Sequence, residues 1–407
     1  MDSAETGPSL AALPSGRTAE AAAPAARRPR WRRLVALAAV VVLPAVVLRS
    51  CVLDTFAIRS SSMAPLFEGA SDGGDHLLVL RSLIDPRALQ RWDVVVVDGS
   101  VDPELPEGFG ALLKRVAALP GERVSLRDGD LWTAPDADSP YALAKKPDEL
   151  IQRLLVPVHA ARGLSAPWTW EGPGEREDLP AGGVRLSAGD EPGRARFAET
   201  VNDGLPGEPG EHPVTDTGLL LELGACDGVL ELHLREGADV FRARLAPAAT
   251  GGAALQHNLG GRVVAEATDF PGLKSGDRVL AWNVDGGVRV LVNGRTLLSW
   301  DRPPRETSAA GGVSRNDPAL LVSGGSIELL RVEVLRDLYY TADGDWLKGS
   351  EPGVGPGRVF LLGDHSRRSR DSRYFGPVDG EKVLGRPIAR YAPWARAGWL
   401  SRWGAEP

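Results

Sequence analysis

The N-terminal region carries the feature that most constrains how this chain folds, an apolar run over residues 34–48 that follows a cluster of arginines. As a helix rising about 1.5 Å per residue, the run covers about 22 Å of a hydrocarbon core that is about 30 Å thick. Continuing to Leu53, with Arg49 snorkelling to the interface, lengthens it to about twenty residues. The residues that follow contain no Ala-x-Ala-like cleavage site. The pattern therefore predicts an uncleaved transmembrane helix over residues 34–53, with a cleaved secretory peptide or a buried core helix as the alternatives.

The charges around this run predict its orientation. Five arginines precede it, namely Arg27, Arg28, Arg30, Arg32 and Arg33, and basic residues stay on the cytoplasmic side of a membrane. We therefore expect a single-pass protein of the cytoplasmic (inner) membrane, with residues 1–33 as a cytoplasmic leader. Everything after Leu53 is expected on the outer side, which makes the lipid bilayer a predicted partner.

Length, charge and cysteine content limit the remaining protein classes. The chain has 407 residues, more than the roughly 250–300 at which a single core stops growing, so we expect more than one folding unit. Its formal net charge of −7 argues against a nucleic-acid binder, which is usually basic. Its two cysteines, Cys51 and Cys226, lie far apart, and we expect no disulfide between them.

Short alternating apolar runs, separated by Gly, Pro and Asp, predict a mainly β fold beyond Phe56. Such runs occupy residues 76–80, 93–97, 111–116, 123–126, 358–362 and 383–391. The middle of the chain begins with a predicted helix near residues 147–155 and continues with predicted strands at 218–223, 229–234, 278–282, 288–292 and 327–335. Asn293-Gly294 directly follows one of them, which is a strong hairpin signal.

This order of runs predicts one β domain built from two separated segments. We expect its first part at residues 54–137, its second part at 356–395, an inserted β domain at 138–355 and a Trp/Arg tail at 396–407. In the insert, residues 287–295 and 327–334 resemble strands of a laminin-G or concanavalin-type jelly roll. Such sandwiches bind glycans or proteins, or serve as spacers. An envelope glycan or protein is therefore one expected ligand of the insert, and a spacer role is the alternative.

Three clusters carry candidate chemistry, and the first contains Ser62. This serine ends a three-serine stretch between an apolar strand and the stiff Ala64-Pro65 step, which would fix a loop and present a hydroxyl. A plain serine-rich turn is the competing interpretation.

The second cluster centres on Lys114. The segment Leu112-Leu113-Lys114-Arg115-Val116 is predicted to be a strand. Alternation along a strand then puts Lys114 on one face with Leu112 and Val116, and Arg115 on the other, so the lysine is a candidate for burial. To act as a base near neutral pH, its pKa must fall by roughly three units from about 10.4, which desolvation can supply. The alternative is an edge-strand lysine that discourages aggregation.

The third cluster is the segment from Gly363 to Gly376, dense in small, hydroxyl and charged residues. Asp371 and Arg373 are predicted to form an ion pair that braces a loop, and Ser369 is predicted to hydrogen-bond a neutral lysine amine. A solvated basic turn would explain His365 and the four arginines equally well.

Together the clusters resemble bacterial type I signal peptidases, membrane-bound Ser/Lys endopeptidases that remove signal peptides from exported proteins. The resemblance covers residues 30–135 and 357–395 and is carried by Arg49 after the apolar run and by these stretches: Phe56-Ala57-Ile58-Arg59-Ser60-Ser61-Ser62-Met63-Ala64-Pro65, Arg91-Trp92-Asp93-Val94-Val95-Val96-Val97, Leu113-Lys114-Arg115-Val116-Ala117-Ala118-Leu119-Pro120-Gly121-Glu122, Leu362-Gly363-Asp364 and Ser369-Arg370-Asp371-Ser372-Arg373-Tyr374-Phe375-Gly376. It implies a signal-peptidase-like β catalytic domain after a transmembrane helix, interrupted here by the insert.

The resemblance also implies residue roles. Ser62 takes the place of the nucleophile and Lys114 that of the general base. The Ser60 hydroxyl and the Ser62 backbone N–H take the place of the oxyanion hole. The supporting residues are Ser369, which orients the lysine, the pair Asp371 and Arg373, and Met63 and Pro65, which shape the loop. The implied substrates are signal-peptide-bearing preproteins, and no metal or cofactor is implied.

The chain departs from the family's usual pattern in two places. Leu66-Phe67 stand where Thr-Leu is usual, followed by a longer loop, and His365-Ser366-Arg367 depart from the usual third motif. These departures concern the shape of the pocket and the cleavage preference, because every catalytic group is present.

Other hypotheses remain open from the sequence. One is a catalytically silent membrane-anchored protein whose insert binds an envelope glycan or protein. Another is a Ser/Lys protease of the self-cleaving repressor type, which the membrane anchor and the lack of a DNA-binding segment disfavour. His159, His212, His233 and His257 lack metal-ligand spacing, so we expect no metal site.

The tail is the last feature with a predicted role. Three tryptophans and a leucine there alternate with arginines: Trp394, Trp399, Leu400 and Trp403 with Arg390, Arg396 and Arg402. The pattern is typical of a membrane interface, and packing against the β domain is the alternative.

Overall fold

The computed structural model of the protein describes residues 35, 39–40, 52–70, 74–81, 88–106, 110–258, 261–303, 317–348 and 353–404. The predicted leader and most of the predicted transmembrane helix lie outside these residues, although Val35, Ala39 and Val40 are helical. Among the described helices, none has the length and apolar character needed to span a membrane. The chain divides into two units, residues 1–50 and 51–407, and every described strand lies in the second.

The second unit is mainly β in its described part. Its first strands are β1 (Leu53–Ala57), β2 (His76–Arg81), β3 (Val94–Asp98), β4 (Ala111–Ala118), β5 (Arg123–Arg127), β6 (Asp130–Ala134) and β7 (Ala142–Leu143). The middle strands are β8 (Val156–Ala161), β9 (Trp168–Glu171), β10 (Glu175–Asp178), β11 (Val184–Ala188), β12 (Gly193–Phe197), β13 (Thr217–Cys226), β14 (Val229–Glu236), β15 (Asp239–Leu245), β16 (Ala253–His257), β17 (Arg262–Ala267), β18 (Arg278–Val284), β19 (Gly287–Val292), β20 (Arg295–Asp301), β21 (Ala319–Ser323) and β22 (Gly325–Arg336). The last strands are β23 (Arg358–Leu362), β24 (Val378–Asp379), β25 (Val383–Ala392) and β26 (Gly398–Trp399).

Helices are few and short in the same part of the chain. The α-helices are α1 (Asp148–Leu154) and α2 (Ser372–Phe375). Single 3-10 turns occur at Ser61–Met63, Gly99–Val101, Ser366–Arg368, Gly380–Lys382 and Trp394–Arg396. Helix α1 has Asp148 and Glu149 in its first turn and Arg153 in its last. Charges in these places interact favourably with the helix dipole and stabilise the helix.

One antiparallel sheet joins the two ends of this unit. Its order is β1-β2-β25-β3-β4-β23-β24, and β26 pairs with β25. Strand β3 is a run of four valines that are all buried, as suits β-branched side chains in the middle of a sheet. Strand β4 lies between β3 and β23. The strands predicted near both ends of the chain therefore meet in one sheet.

The middle strands form two further sheets. Their orders are β10-β11-β22-β13-β18-β19-β20, with β8 on β22, and β17-β16-β15-β14-β21-β12-β9. Side chains of both sheets, such as Leu219 and Leu221 from β13 and Leu230 and Leu232 from β14, share one buried apolar core. This is the layout of a β-sandwich. The predicted hairpin is confirmed: β19 pairs with β20 across Asn293 and Gly294, both with positive φ.

A small sheet and α1 pack between these parts. Strands β5, β6 and β7 form that sheet. Leu150 and Leu154 of α1 share a buried cluster with Phe360 and Leu362 of β23 and with Trp92, which lies just before β3. The same cluster includes Val156 of β8, so the sandwich packs continuously against the sheet that carries the three candidate clusters.

Candidate active site

The Ser62 loop is held by its apolar neighbours. Ser62 lies in the 3-10 turn after β1, where Met63 and Phe67 are completely buried. The Ile58 amide donates to the Asp75 carbonyl at 2.9 Å and closes the base of the loop. The Ala64-Pro65 peptide is cis. The predicted loop-shaping positions Met63 and Pro65 therefore lie where they fix the course of the chain beside Ser62.

Lys114 reaches this serine from the middle of the sheet. Its Nζ donates to Ser62 Oγ at 3.0 Å, and Lys114 and Ser62 are only 2% and 5% exposed. The predicted burial is confirmed. The edge-strand alternative is wrong, because β4 has neighbours on both sides.

The environment of Lys114 favours its neutral form. Burial lowers the pKa of Lys114 to about 8, against the charge of Asp371, which raises it, while Arg373 lowers it further. The pKa falls because desolvation penalises the charged ammonium form. With a pKa of about 8, the amine is neutral in about one molecule in ten at pH 7. The group at 3.0 Å from Ser62 Oγ can therefore accept a proton near neutral pH.

Ser60 lies on the solvent side of the same site. Its Oγ is 3.2 Å from Ser62 Oγ, and either hydroxyl can donate. The residue itself is exposed. A second hydroxyl thus stands beside the predicted nucleophile, where an oxygen of a bound carbonyl could approach.

The loop after β23 is braced by buried ion pairs. Arg373 donates through Nε to Asp371 Oδ1 at 2.8 Å and through Nη2 to Oδ2 at 2.9 Å, with both side chains inaccessible to solvent. Asp371 also accepts the Gly363 amide at 3.0 Å, and Arg373 donates to Thr341 and Ser366. The predicted brace is present. The solvated-turn interpretation is wrong for these residues.

The predicted contact of Ser369 is not formed. Ser369 Oγ is buried without a hydrogen-bond partner, and the Lys114 amine is directed to Ser62 instead. The Ser369 hydroxyl lies against Gly363, where an added Cβ would stand 2.1 Å from Ser369 Oγ and 2.6 Å from the Ser62 carbonyl oxygen. Glycine at position 363 is therefore what allows the two loops to approach each other.

A second ion pair was not foreseen from sequence. Arg115, on the face of β4 opposite Lys114, makes a bidentate pair with Asp364, with both N–O distances 2.6 Å and both side chains fully buried. Its Nη1 also donates to the carbonyls of Trp92 and Trp403. The residues that follow Lys114 and Gly363 in sequence therefore fasten β4 to the loop after β23.

One group of carboxylates has the spacing of a metal site. Oxygens of Asp130, Asp216 and Asp285 lie within 4.8 Å of one another, a cluster that sequence spacing does not reveal because the residues come from three distant segments. The Lys146 ammonium is 2.8 Å from Asp285 and 2.8 Å from Asp337 and supplies a fixed positive charge. Burial also raises the pKa of Asp337 to about 6, against the opposing effect of Lys146.

The tail packs through its arginines and exposes its tryptophans. Arg396 and Arg402 pair with Asp75 and Asp93 at 3.2 and 2.5 Å. Trp394 and Trp399 are 90% and 68% exposed. The packing interpretation is confirmed for these arginines and for Trp403, which packs against a buried cluster, and contact of the two exposed indoles with a membrane stays a prediction.

Comparison with known proteins gives one family. The family model described as "Signal peptidase, peptidase S26" matches residues 30–152 and 289–394, together more than half of the chain. No curated protein matches significantly.

Several solved structures share a weak similarity. A protein of unknown function with a galectin-like fold from Bacillus subtilis is 14% identical, with 45% of this chain and 94% of that chain covered and a TM-score of 0.30. Bacillus licheniformis β-glucanase is 10% identical over 43% and 96%, with a TM-score of 0.29. The exoplasmic/lumenal domain of VIP36 in its Ca²⁺/Man3GlcNAc-bound form is 13% identical over 49% and 99%, with a TM-score of 0.32.

Proposed function

The chain belongs to the signal peptidase family, peptidase S26, and we therefore propose that it is a signal peptidase I that cleaves N-terminal signal peptides from exported preproteins. In this proposal Ser62 is the nucleophile and Lys114 the general base. The observation that carries it is the 3.0 Å contact between a buried lysine amine and a buried serine hydroxyl. Few structural roles would place a desolvated amine against a serine hydroxyl in this way.

The proposed reaction follows from the protonation state of Lys114. The neutral amine takes the Ser62 proton, and the alkoxide attacks the scissile carbonyl. The Ser62 backbone N–H and the Ser60 hydroxyl stabilise the resulting oxyanion. The Lys114 ammonium then protonates the leaving amine, and water, activated by the same lysine, hydrolyses the acyl-enzyme.

The supporting residues act by holding this geometry. Asp371 and Arg373 keep the loop after β23 in place, and Asp371 also faces the Lys114 ammonium that forms during the reaction. We propose that the Ser369 hydroxyl, which has no partner before substrate binds, donates to or accepts from the Lys114 amine once that amine turns toward the leaving group.

The edge of the first sheet is the proposed substrate site. Strand β1 stands at one end of the strand order of that sheet, and its last residues, Phe56 and Ala57, lead directly into the Ser62 turn. An extended peptide can add to such an edge through main-chain hydrogen bonds. This would bring its scissile carbonyl to Ser62.

The experiment that tests the function is cleavage of an exported precursor protein in detergent. Purified wild type should release the signal peptide, with the cut located by mass spectrometry after a small-x-small sequence, and the Ser62→Ala variant should release none. Absence of any cut by folded wild type would instead favour the silent anchored protein.

The activity should depend on pH through Lys114. Because burial lowers its pKa to about 8 and only the neutral amine is a base, kcat/KM should rise about tenfold per unit below that pKa and level off above it. The measurement is kcat/KM for one precursor between about pH 6 and pH 10, within the range where the protein stays folded. A flat profile would exclude a lysine base with this pKa.

We also propose the location and domain organisation predicted from sequence. The protein would be a single-pass protein of the cytoplasmic membrane, with the catalytic domain (residues 54–137 and 356–395) outside and residues 138–355 as an insert. The exposed Trp394 and Trp399 support contact with the bilayer, since indoles favour the interface. Protease accessibility of residues 54–407 in intact spheroplasts tests this orientation; protection of that region would overturn it. A glycan or protein ligand of the insert stays a prediction.

A further inference from the structure

A closed loop of the sandwich lies against the loop that follows β23. It spans residues 202–213, and its ends pair at Asn202 and Pro213. The Asp203 carboxylate accepts the amides of Glu211 and His212 at 2.7 and 3.0 Å, and the Glu208 amide donates to the Leu205 carbonyl at 2.8 Å. These bonds fix the loop in one conformation. We call it the insert loop.

A buried arginine anchors the insert loop to the sandwich. Arg336, the last residue of β22, is 3% exposed. Its guanidinium donates to the carbonyls of Asp203 and Gly204 at 2.8 and 2.7 Å and to that of Asp337 at 2.7 Å. The planar fork of arginine reaches these acceptors together, which a lysine amine cannot do.

The insert loop touches the 3-10 turn after β23 at three points. Arg367 Nη1 donates to the Pro209 carbonyl at 2.7 Å, and its Nη2 pairs with Glu211. Arg368 lies 3.1 Å from Glu208. Exposed ion pairs of this kind are worth little individually, so their value lies in fixing the position of one loop on the other.

The turn in contact with the insert loop also holds the nucleophile. The His365 amide donates to the Ser62 carbonyl at 3.0 Å, and the His365 side chain is 5% exposed, with Nε2 3.8 Å from Glu208. His365 and Arg367 are also among the positions that depart from the usual third motif of the family. A continuous set of contacts therefore runs from β22 through the insert loop and His365 to Ser62.

We propose that the insert loop positions the Ser62 loop, with Arg336 as its anchor and Arg367 as its principal contact. The insert is then part of the catalytic apparatus in this chain, and neither a spacer nor only a ligand-binding appendage. The role is one of positioning, because none of these residues touches the reacting atoms. It rests on the proposed function, in which the Ser62 hydroxyl must be held to within a fraction of an ångström; displacement by about 1 Å can cost about 10²-fold in rate.

The test compares kinetics and hydrogen exchange in full-length variants in detergent. Arg336→Met and Arg367→Met should each lower kcat for a precursor by about tenfold or more while KM changes by less than about threefold. Exchange of the His365 amide should accelerate in peptides covering residues 363–370. Arg185→Met is the matched control, since Arg185 pairs with Glu177 and Glu328 on the sandwich surface and should leave both readouts unchanged.

A charge exchange covers the case in which Arg336→Met does not fold. Glu208→Arg places like charges beside Arg368 and should lower kcat, and adding Arg368→Glu should restore most of it. Unchanged kcat and exchange in folded Arg367→Met and Glu208→Arg, or an equal loss in Arg185→Met, overturns the proposal. If wild type does not cleave the precursor, the proposed function fails, and the exchange data still decide whether the insert loop holds His365.

Discussion

Lys114→Met is expected to abolish precursor cleavage and leave the protein folded. Methionine is unbranched and similar in volume to lysine but cannot accept the Ser62 proton, so kcat/KM should fall by at least about 10⁴-fold, as when a member of another catalytic unit is removed. Stability should be unchanged or raised, because an apolar group replaces an amine that is 2% exposed. Cleavage assays at about pH 8.5, just above the lowered pKa of the lysine, and thermal denaturation of the same preparations measure the two effects.

Two further variants make this result specific. Lys114→Arg should also be inactive, since a guanidinium stays protonated at every pH tested. Lys145→Met is the control, because Lys145 is a half-exposed lysine that pairs with Asp301 and has no predicted role. Substantial cleavage by Lys114→Met would show that another group activates Ser62 and would end the Ser/Lys assignment.

Sequence patterns predicted the local parts of this site well, for a physical reason. Alternation of apolar residues revealed β4 and β23, and period two placed Lys114 and Arg115 on opposite faces of one strand. Burial of Lys114 followed from its apolar neighbours. The Asp371–Arg373 pair is two residues apart and could be seen in the loop itself.

Contacts between distant segments could not be predicted in the same way. Arg115 and Asp364 are 249 positions apart, and they meet only because β4 and β23 are neighbours in the sheet. The contacts of Arg367 with the insert loop and the carboxylates of Asp130, Asp216 and Asp285 depend likewise on how the sandwich returns to the first sheet. Charged residues in loops carry no periodic signal, so their partners emerge only from the fold.

The Ser369 prediction was wrong for a related reason. Membership in a motif predicts that a hydroxyl lies near the lysine, but a rotation of the lysine chain decides which hydroxyl it meets. Here Lys114 is directed to Ser62, and Ser369 Oγ lies against Gly363. The predicted hydrogen bond between Ser369 and Lys114 is therefore not formed, although both side chains are buried.

Asp364→Ala is expected to cause a large loss of stability, because it breaks a fully buried ion pair at the site. It leaves the Arg115 guanidinium in a fully buried position without its carboxylate, and removal of one partner of a buried pair costs about 3–5 kcal/mol. The free energy of unfolding of the full chain, followed by tryptophan fluorescence in urea, should fall by that amount. Asp379→Ala is the matched control, since the Arg358–Asp379 pair is about half exposed and its loss should cost less than about 1 kcal/mol.

The double variant separates the ion pair from the other bonds of Arg115. Arg115→Met alone removes the donors to Asp364, Trp92 and Trp403, so it should also destabilise the protein. If the buried pair is the main contribution, the double variant Arg115→Met/Asp364→Ala should lose less stability than the two single variants together. Its loss in the free energy of unfolding should be smaller than the sum of the two single losses by about 2 kcal/mol or more. If the two losses simply add, the ion pair contributes little to stability. The hydrogen bonds from Arg115 to the carbonyls of Trp92 and Trp403 would then account for the effect of Arg115→Met, and the effect of Asp364→Ala would arise from contacts of Asp364 with residues other than Arg115.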